Sequence, residues 1–297
     1  MSCPKVSLSD NLSLSKVVAG CWRLLDQQEP VDLEDFFNNA LAAGVSSFDH
    51  ADLYGDYLVE QEFGKKINLS PSKRESIEII SKCGIQLVSP GRPENQIKFY
   101  DYSKNYIIQS AEDSVKALKC EYLDVLLLHR PSPLLNPAEV SEAFDNLLQR
   151  GIVRQFGVSN FNHLQVDALQ NQCNQKLIIN QVEIHPLQTD IFANGELDYC
   201  LKNKITPMAW SPTGQGRLFK PEGQRIYQSL EKVGEQLAIS PAAALYAWFA
   251  THPAGIIPVL GTVKAARIQE AVEGIQISLT NEQWFSIYEA ALGQEVP

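Results

Sequence analysis

Short apolar runs alternate along the chain with longer stretches in which apolar residues recur every three or four positions. The runs are KVVAG (16–20), GVSSFD (44–49), IEIISK (77–82), LDVLLLH (123–129), VRQFGVS (153–159), LIINQVE (177–183), ITPMAWS (205–211) and GIIPVLG (255–261). Rich in Val, Ile, Leu and Phe, they suit strands buried on both faces, as in a parallel sheet. The stretches between them read as helices. VDLEDFFNNALAAG (31–44) keeps its apolar residues on one face, has an acidic first turn and stops at Gly44. Ser103 caps the helix predicted over 103–119, and Asn136 before Pro137 opens the one that Gly151 closes. Further helices are predicted over 159–172, 195–204, 240–250 and 264–274. Eight strands alternating with helices, without a long linker, predict an α/β chain folded as a single (β/α)8 TIM barrel over residues 1–297. An open doubly wound sheet is the alternative.

A parallel barrel places its active site at the carboxyl ends of its strands. Here those ends carry polar residues in strand after strand: Asp49, Lys82, His129, Ser159 with Asn160, Gln181, and Trp210 with Ser211. Taken singly, each has an ordinary explanation: a cap for Asp49 or Ser159, a surface lysine, a packed histidine. Their conjunction points to a site. Asp49 and Lys82 would each make the other's burial tolerable. Tyr54, five residues past Asp49, would then lie beside the ammonium, which would lower its pKa towards proton exchange near neutrality. His129 would donate a hydrogen bond to a substrate oxygen. Such a group suits protonation of an oxygen that gains negative charge, as when a carbonyl accepts hydride.

Composition narrows the surroundings. Of 297 residues 44% are hydrophobic and 20% charged, enough for a sizeable core. A formal net charge of -10 argues against a general nucleic-acid surface, though not against one basic pocket. No apolar stretch approaches the ~20 residues of a membrane helix, and the first twenty residues lack a signal-peptide core. Six scattered cysteines without a C-x-x-C pair read as free thiols, and the expectation is a cytoplasmic protein with no membrane partner. The five histidines show no ligand-like grouping, so no metal is expected.

No G-x-G-x-x-G follows the first strand. Instead GTVKAARIQE follows the eighth, placing the backbone of Gly261 and Thr262 and the next helix start where a phosphate could bind. Lys264 and Arg267 add local positive charge.

Taken together, FDHADLYG, EQEFG, SKCG, LLLHRP, VRQFGVSNF, NQVEIHP, AWSP and IIPVLGTVKAARIQEA resemble the aldo-keto reductases in order and spacing, over essentially the whole chain. DHAD and HRP are shared with the bacterial oxidoreductases of the YdhF type. The resemblance implies an NADP(H)-dependent enzyme acting on a small-molecule carbonyl substrate, and a monomer. Tyr54 would be the general acid, tuned by Asp49 and Lys82, with His129 orienting the carbonyl. Ser159, Asn160 and Gln181 would hold the nicotinamide carboxamide and Trp210 would stack on its ring. The backbone near Gly20, Cys21 and Trp22 would line the same pocket. Arg267 would meet the 2′-phosphate, favouring NADP over NAD, and Glu270 would face the adenine amino group. The chain departs from the pattern at His50, where many members have threonine, and at Ala271, where many have asparagine near the adenine. The aromatic loop SPGRPENQIKFYDYSKN (89–105) is expected to cover the substrate. Two rivals remain open: a cofactor-binding regulatory subunit with little turnover, and an aldolase-type barrel using Lys82 as a Schiff base.

Overall fold

The computed structural model describes residues 2–26 and 31–297. It opens on an antiparallel hairpin, β1 (Lys5–Ser9) and β2 (Leu12–Ser15). A barrel strand follows, β3 (Val18–Gly20), then α1 (Leu33–Ala42), β4 (Ser47–Asp49), the short turn α2 (Tyr54–Tyr57), α3 (Val59–Lys66), α4 (Pro71–Glu75) and β5 (Glu78–Cys83). A two-residue ribbon, β6 (Ile85–Gln86) with β7 (Phe99–Tyr100), precedes α5 (Lys104–Leu118), β8 (Leu123–Leu128), α6 (Pro137–Gln149) and β9 (Val153–Ser159). The remainder comprises α7 (His163–Gln170), β10 (Leu177–Glu183), α8 (Glu196–Asn203), β11 (Thr206–Trp210), α9 (Gln224–Leu237), α10 (Pro241–Thr251), β12 (Ile257–Leu260), α11 (Ala265–Gly274) and α12 (Asn281–Leu292).

Eight strands close in the order β10-β11-β12-β3-β4-β5-β8-β9, every pair parallel, which excludes the open sheet. They coincide with the eight apolar runs. The helices form where periodicity and caps agree: Asp32 accepts from Glu34 N–H and Asp35 N–H, Ser103 caps α5, and Asn136 caps α6 ahead of Pro137. On α5 the buried positions Ile107, Ala111, Ser114 and Leu118 fall along one stripe facing the barrel.

Inside the barrel, Val18, Ile80, Val125, Leu127, Ile179, Met208 and Ile257 form one apolar core with Leu12 and Leu14 of the hairpin. The hairpin plugs the amino-terminal mouth, so only the carboxyl end is available for a site. It was not among the expected elements. Neither were α9 and α12, α9 being a second helix between β11 and β12 where one was anticipated.

Candidate active site

The polar residues that end the barrel strands meet at the carboxyl mouth. Lys82 rises from β5 and is 1% exposed. Its ammonium donates to both Asp49 carboxylate oxygens at 2.8 Å, to the His50 carbonyl at 2.7 Å and to the Tyr54 hydroxyl at 2.9 Å. Gln181 Nε2 donates to Asp49 Oδ1 at 2.8 Å. Tyr54 is presented by a tight turn whose next residues, Gly55, Asp56 and Tyr57, all have left-handed φ. For Asp56 and Tyr57 that conformation is strained by about 1–2 kcal/mol each. His129 follows β8, its N–H donating to Cys83 O at 2.9 Å, and its ring lies 6.1 Å from that of Tyr54, nearly edge-on.

The electrostatics differ from the expectation in one respect. Burial first, and after it the Asp49 carboxylate, push the Tyr54 pKa well above the ordinary phenol value, with Arg130 opposing them. Burial is the largest cause, and the Asp49 carboxylate that holds Lys82 adds negative charge beside the phenol. The expected lowering of the Tyr54 pKa by Lys82 is therefore corrected. Burial lowers the Lys82 pKa while Asp49 resists. Burial, and after it the charges of Lys82, Arg130 and Lys98, holds His129 well below the usual imidazole range, so the ring is neutral. A protonated phenol whose oxygen already accepts from Lys82 has its own hydrogen left to donate.

These groups floor a cavity of about 680 Å³. Of the residues expected at a cofactor, Trp22, Ser159, Asn160, Gln181, Trp210, Ser211, Gly261, Thr262, Arg267 and Glu270 line it. Lys264 does not: it is the exposed residue that opens α11, its N–H donating to Thr262 Oγ1. Lys82 lies beneath the floor. The amide cluster is closed on itself. Ser159 Oγ donates to Gln181 O, Asn160 Nδ2 donates to Ser159 Oγ, and Trp210 Nε1 donates to Asn160 Oδ1 at 2.9 Å. Among the described residues no group donates to Gln181 Oε1, whose amide nitrogen is on Asp49.

At α11 the Ala265 and Ala266 N–H groups have no protein partner among the described residues, and Arg267 forms no ion pair there. That donor set fits an anionic phosphate. His50 is buried against Phe63, its Nε2 lying 3.4 Å from Cys21 Sγ, and does not reach the cavity. Ala271 faces the core of α11 and also lies off the cavity.

Several lining residues had gone unassigned. Arg23 reaches Gln215 on the 211–219 loop at 3.4 Å, closing one wall, and that loop turns through left-handed Ser211, Gly214, Gln215 and Gly216. Arg130, directly after His129, and Lys98 line another stretch. The aromatic loop behaves differently from a simple cover. Tyr102 is buried as a brace, Phe99 is exposed, and the side chain the loop brings to the cavity is Lys98. The Schiff-base reading fails on geometry, because Lys82 is buried and spends its donors on four acceptors, leaving no free amine for a carbonyl.

Comparison with known proteins agrees with this architecture. Residues 16–291 match the model of the aldo/keto reductase family. The chain is similar to the oxidoreductase YdhF of Escherichia coli, with 42% identity over 95% of each chain. It is also similar to a 6-dehydroglucose reductase of Agrobacterium fabrum, with 36% identity over 98% of this chain and 99% of that one. The structure of a Bombyx mori aldo-keto reductase in complex with NADP superposes with a TM-score of 0.78 at 21% identity, covering 98% of this chain and 93% of that one. A closed parallel barrel, a chelated lysine under a tyrosine at its mouth, and a family match across nearly all of its length place this chain in the aldo/keto reductase family.

Proposed function

We propose that the protein reduces the carbonyl of an aldehyde or ketone to an alcohol, with NADPH as reductant and Tyr54 as general acid. The observation that carries this reading is the Lys82 ammonium, shared between the Asp49 carboxylate and the Tyr54 oxygen on the cavity floor. When bound, NADPH supplies the hydride. The chain's own residues do the rest. Tyr54 gives its proton to the carbonyl oxygen as that oxygen becomes negative, and its own oxygen, left as phenolate, is met by the Lys82 N–H that already points at it. Asp49 keeps Lys82 charged and fixed, and Gln181 keeps Asp49 fixed. Neutral His129 donates a second hydrogen bond to the same carbonyl oxygen.

Arg267 and the start of α11 would hold the 2′-phosphate, with Glu270 at the adenine. Gln181 Oε1 would accept from the carboxamide and Trp210 would lie along the ring. The NADP in the Bombyx mori structure and the reductase name of the Agrobacterium relative support the same assignment. The test is NADPH oxidation at 340 nm over aldehydes, ketones and neutral sugar aldehydes, with Tyr54→Phe alongside. The variant is expected to lose turnover by about 10²–10⁴-fold while still binding NADPH. Undiminished turnover in Tyr54→Phe removes Tyr54 from the mechanism, and no turnover of any carbonyl by the unaltered protein removes the reductase reading.

A further inference from the structure

Two basic side chains on the cavity wall have no task in the reading above. Arg130 follows β8, and Lys98 comes from the loop between β6 and β7. Neither forms an ion pair among the described residues, in a chain with 35 Asp and Glu against 25 Lys and Arg.

Their place in the barrel separates them from the phosphate-binding end. In the closed order of eight strands, β8 lies four steps from β12 in either direction. Arg130 therefore faces the cavity from across the barrel relative to Arg267 on α11. The β6–β7 loop that carries Lys98 lies between β5 and β8, on the same side as Arg130. Both cations act on the reacting groups: Arg130 draws the Tyr54 pKa down, and with Lys98 it helps keep His129 neutral.

Arg130 is also held in place. The buried Tyr102 hydroxyl donates to Arg130 O at 2.6 Å and accepts from Arg130 N–H at 2.9 Å. The guanidinium lies 5.6 Å from the Trp210 ring centroid. A fixed backbone and a supported head pre-organise a fork suited to two-point binding of an anion. Leu53, Ile85 and Leu87 make the neighbouring wall apolar.

We propose that the carbonyl substrate carries an anionic group, a carboxylate or a phosphate, which Arg130 and Lys98 bind while the carbonyl oxygen meets Tyr54 and His129. This rests on the reductase reading and narrows its substrate class to oxo acids, aldehyde acids or their phosphorylated counterparts. The apolar wall would take the carbon segment between carbonyl and anion.

The experiment is NADPH-dependent reduction of matched pairs: 4-oxobutanoate against its methyl ester, 4-carboxybenzaldehyde against methyl 4-formylbenzoate, and glyceraldehyde 3-phosphate against glyceraldehyde. The charged member of at least one pair is expected to exceed its neutral partner about 10-fold or more in kcat/KM, mainly through KM. The carboxylate and phosphate pairs tell the two anions apart. In Arg130→Gln and in Lys98→Gln that ratio falls towards one. Each ratio is taken within one protein, so a loss of folded material lowers both members alike. Ratios near one for all pairs in the unaltered protein overturn the proposal, as does a ratio that survives in both variants. Failure to reduce any member, neutral ones included, sinks the reductase reading instead. A readout without turnover keeps the two apart. Trp22 and Trp210 line the cavity, so benzoate is expected to quench tryptophan fluorescence at about 10-fold lower concentration than methyl benzoate. Equal concentrations would count against the proposal on their own.

Discussion

Replacing Asp49 by asparagine separates the shape of the site from its charge. The Lys82 ammonium is buried, and of the four acceptors within 2.7–2.9 Å only the two Asp49 oxygens carry formal charge. Asp49→Asn preserves volume and one acceptor but leaves the ammonium uncompensated. Removing one partner of a buried pair costs about 3–5 kcal/mol, which in a protein of this size lowers Tm by roughly 5–10 °C. The cost has a definite pH dependence. Burial depresses the folded-state pKa of Lys82, and loss of Asp49 takes away the group that resists this. Between that value and the unfolded value near ~10.4, the unfolded chain binds the extra proton. Stability then rises with pH, so the deficit is smaller at pH 9 than at pH 7. In Asp49→Asn/Lys82→Met neither charge remains to be desolvated, and the double variant is expected to lose less than the sum of the single ones, by about 1–3 kcal/mol. Urea unfolding of all four proteins at both pH values reads these quantities directly. Strict additivity, or an Asp49→Asn protein within about 0.5 kcal/mol of the parent, would refute the view that a desolvated ion pair underlies the site.

Three further outcomes follow from the same geometry. Arg267→Ala should weaken NADPH binding about 10-fold or more while barely changing NADH, as measured by fluorescence titration; an equal loss for both coenzymes would move the 2′-phosphate elsewhere. Reduction should show no limb from Tyr54 or His129 in kcat/KM between pH 6 and 9, because one pKa is pushed up and the other down; a tyrosine limb near pH 7 would revive the lowered-phenol expectation. Burial raises Glu60 to about 7, its carboxylate accepting from Ser81. Folded Glu60 thus keeps a proton that the unfolded chain gives up near pH 4.5, so this contribution is present at low pH and is lost as pH rises through about 7. Glu60→Gln should flatten that part of the stability profile, an effect of order ~2–3 kcal/mol by linkage; an unchanged slope in urea unfolding would refute it.

The eight barrel strands were legible because most of their positions are buried, which leaves short runs rich in Val, Ile, Leu and Phe even where a residue such as Arg154 in β9 is exposed. The hairpin was not. Its strands contribute only Val6, Leu8, Leu12 and Leu14 in alternation around Asp10-Asn11, too short a pattern to stand out beside the barrel runs. α9 shows Ile226, Leu230 and Val233 on one face, a readable helix hidden by the assumption of one helix per strand. At the site, residue identities were visible from strand ends, whereas their electrostatics were not. The rise of the Tyr54 pKa comes first from its burial and then from Asp49, and both depend on tertiary packing that strand ends do not reveal. Arg130 stood beside His129 in LLLHRP, yet nothing local distinguishes a cavity arginine from a solvated one. The difference comes from Tyr102, 28 residues away, clamping its backbone.

That clamp and the chelate share a physical logic. The lower half of the barrel interior is apolar and plugged; the polar groups buried at that end pair among themselves, Glu78 with Ser46 and Ser47 and Asp124 with Arg74, and the others gather at the opposite mouth. There several are fixed by a second polar group from a different element: Lys82 by Asp49, Asp49 by Gln181, Trp210 by Asn160, Arg130 by Tyr102. A polar group buried without such a partner would cost several kcal/mol. With one, it becomes a fixed dipole or charge that need not reorganise when negative charge develops on a carbonyl oxygen. The left-handed turn at Asp56 and Tyr57 belongs to the same account. The strained turn just after Tyr54 is held on both sides: the Lys82 hydrogen bond and the buried ring fix Tyr54, and the Leu87 N–H donates to the Tyr57 hydroxyl.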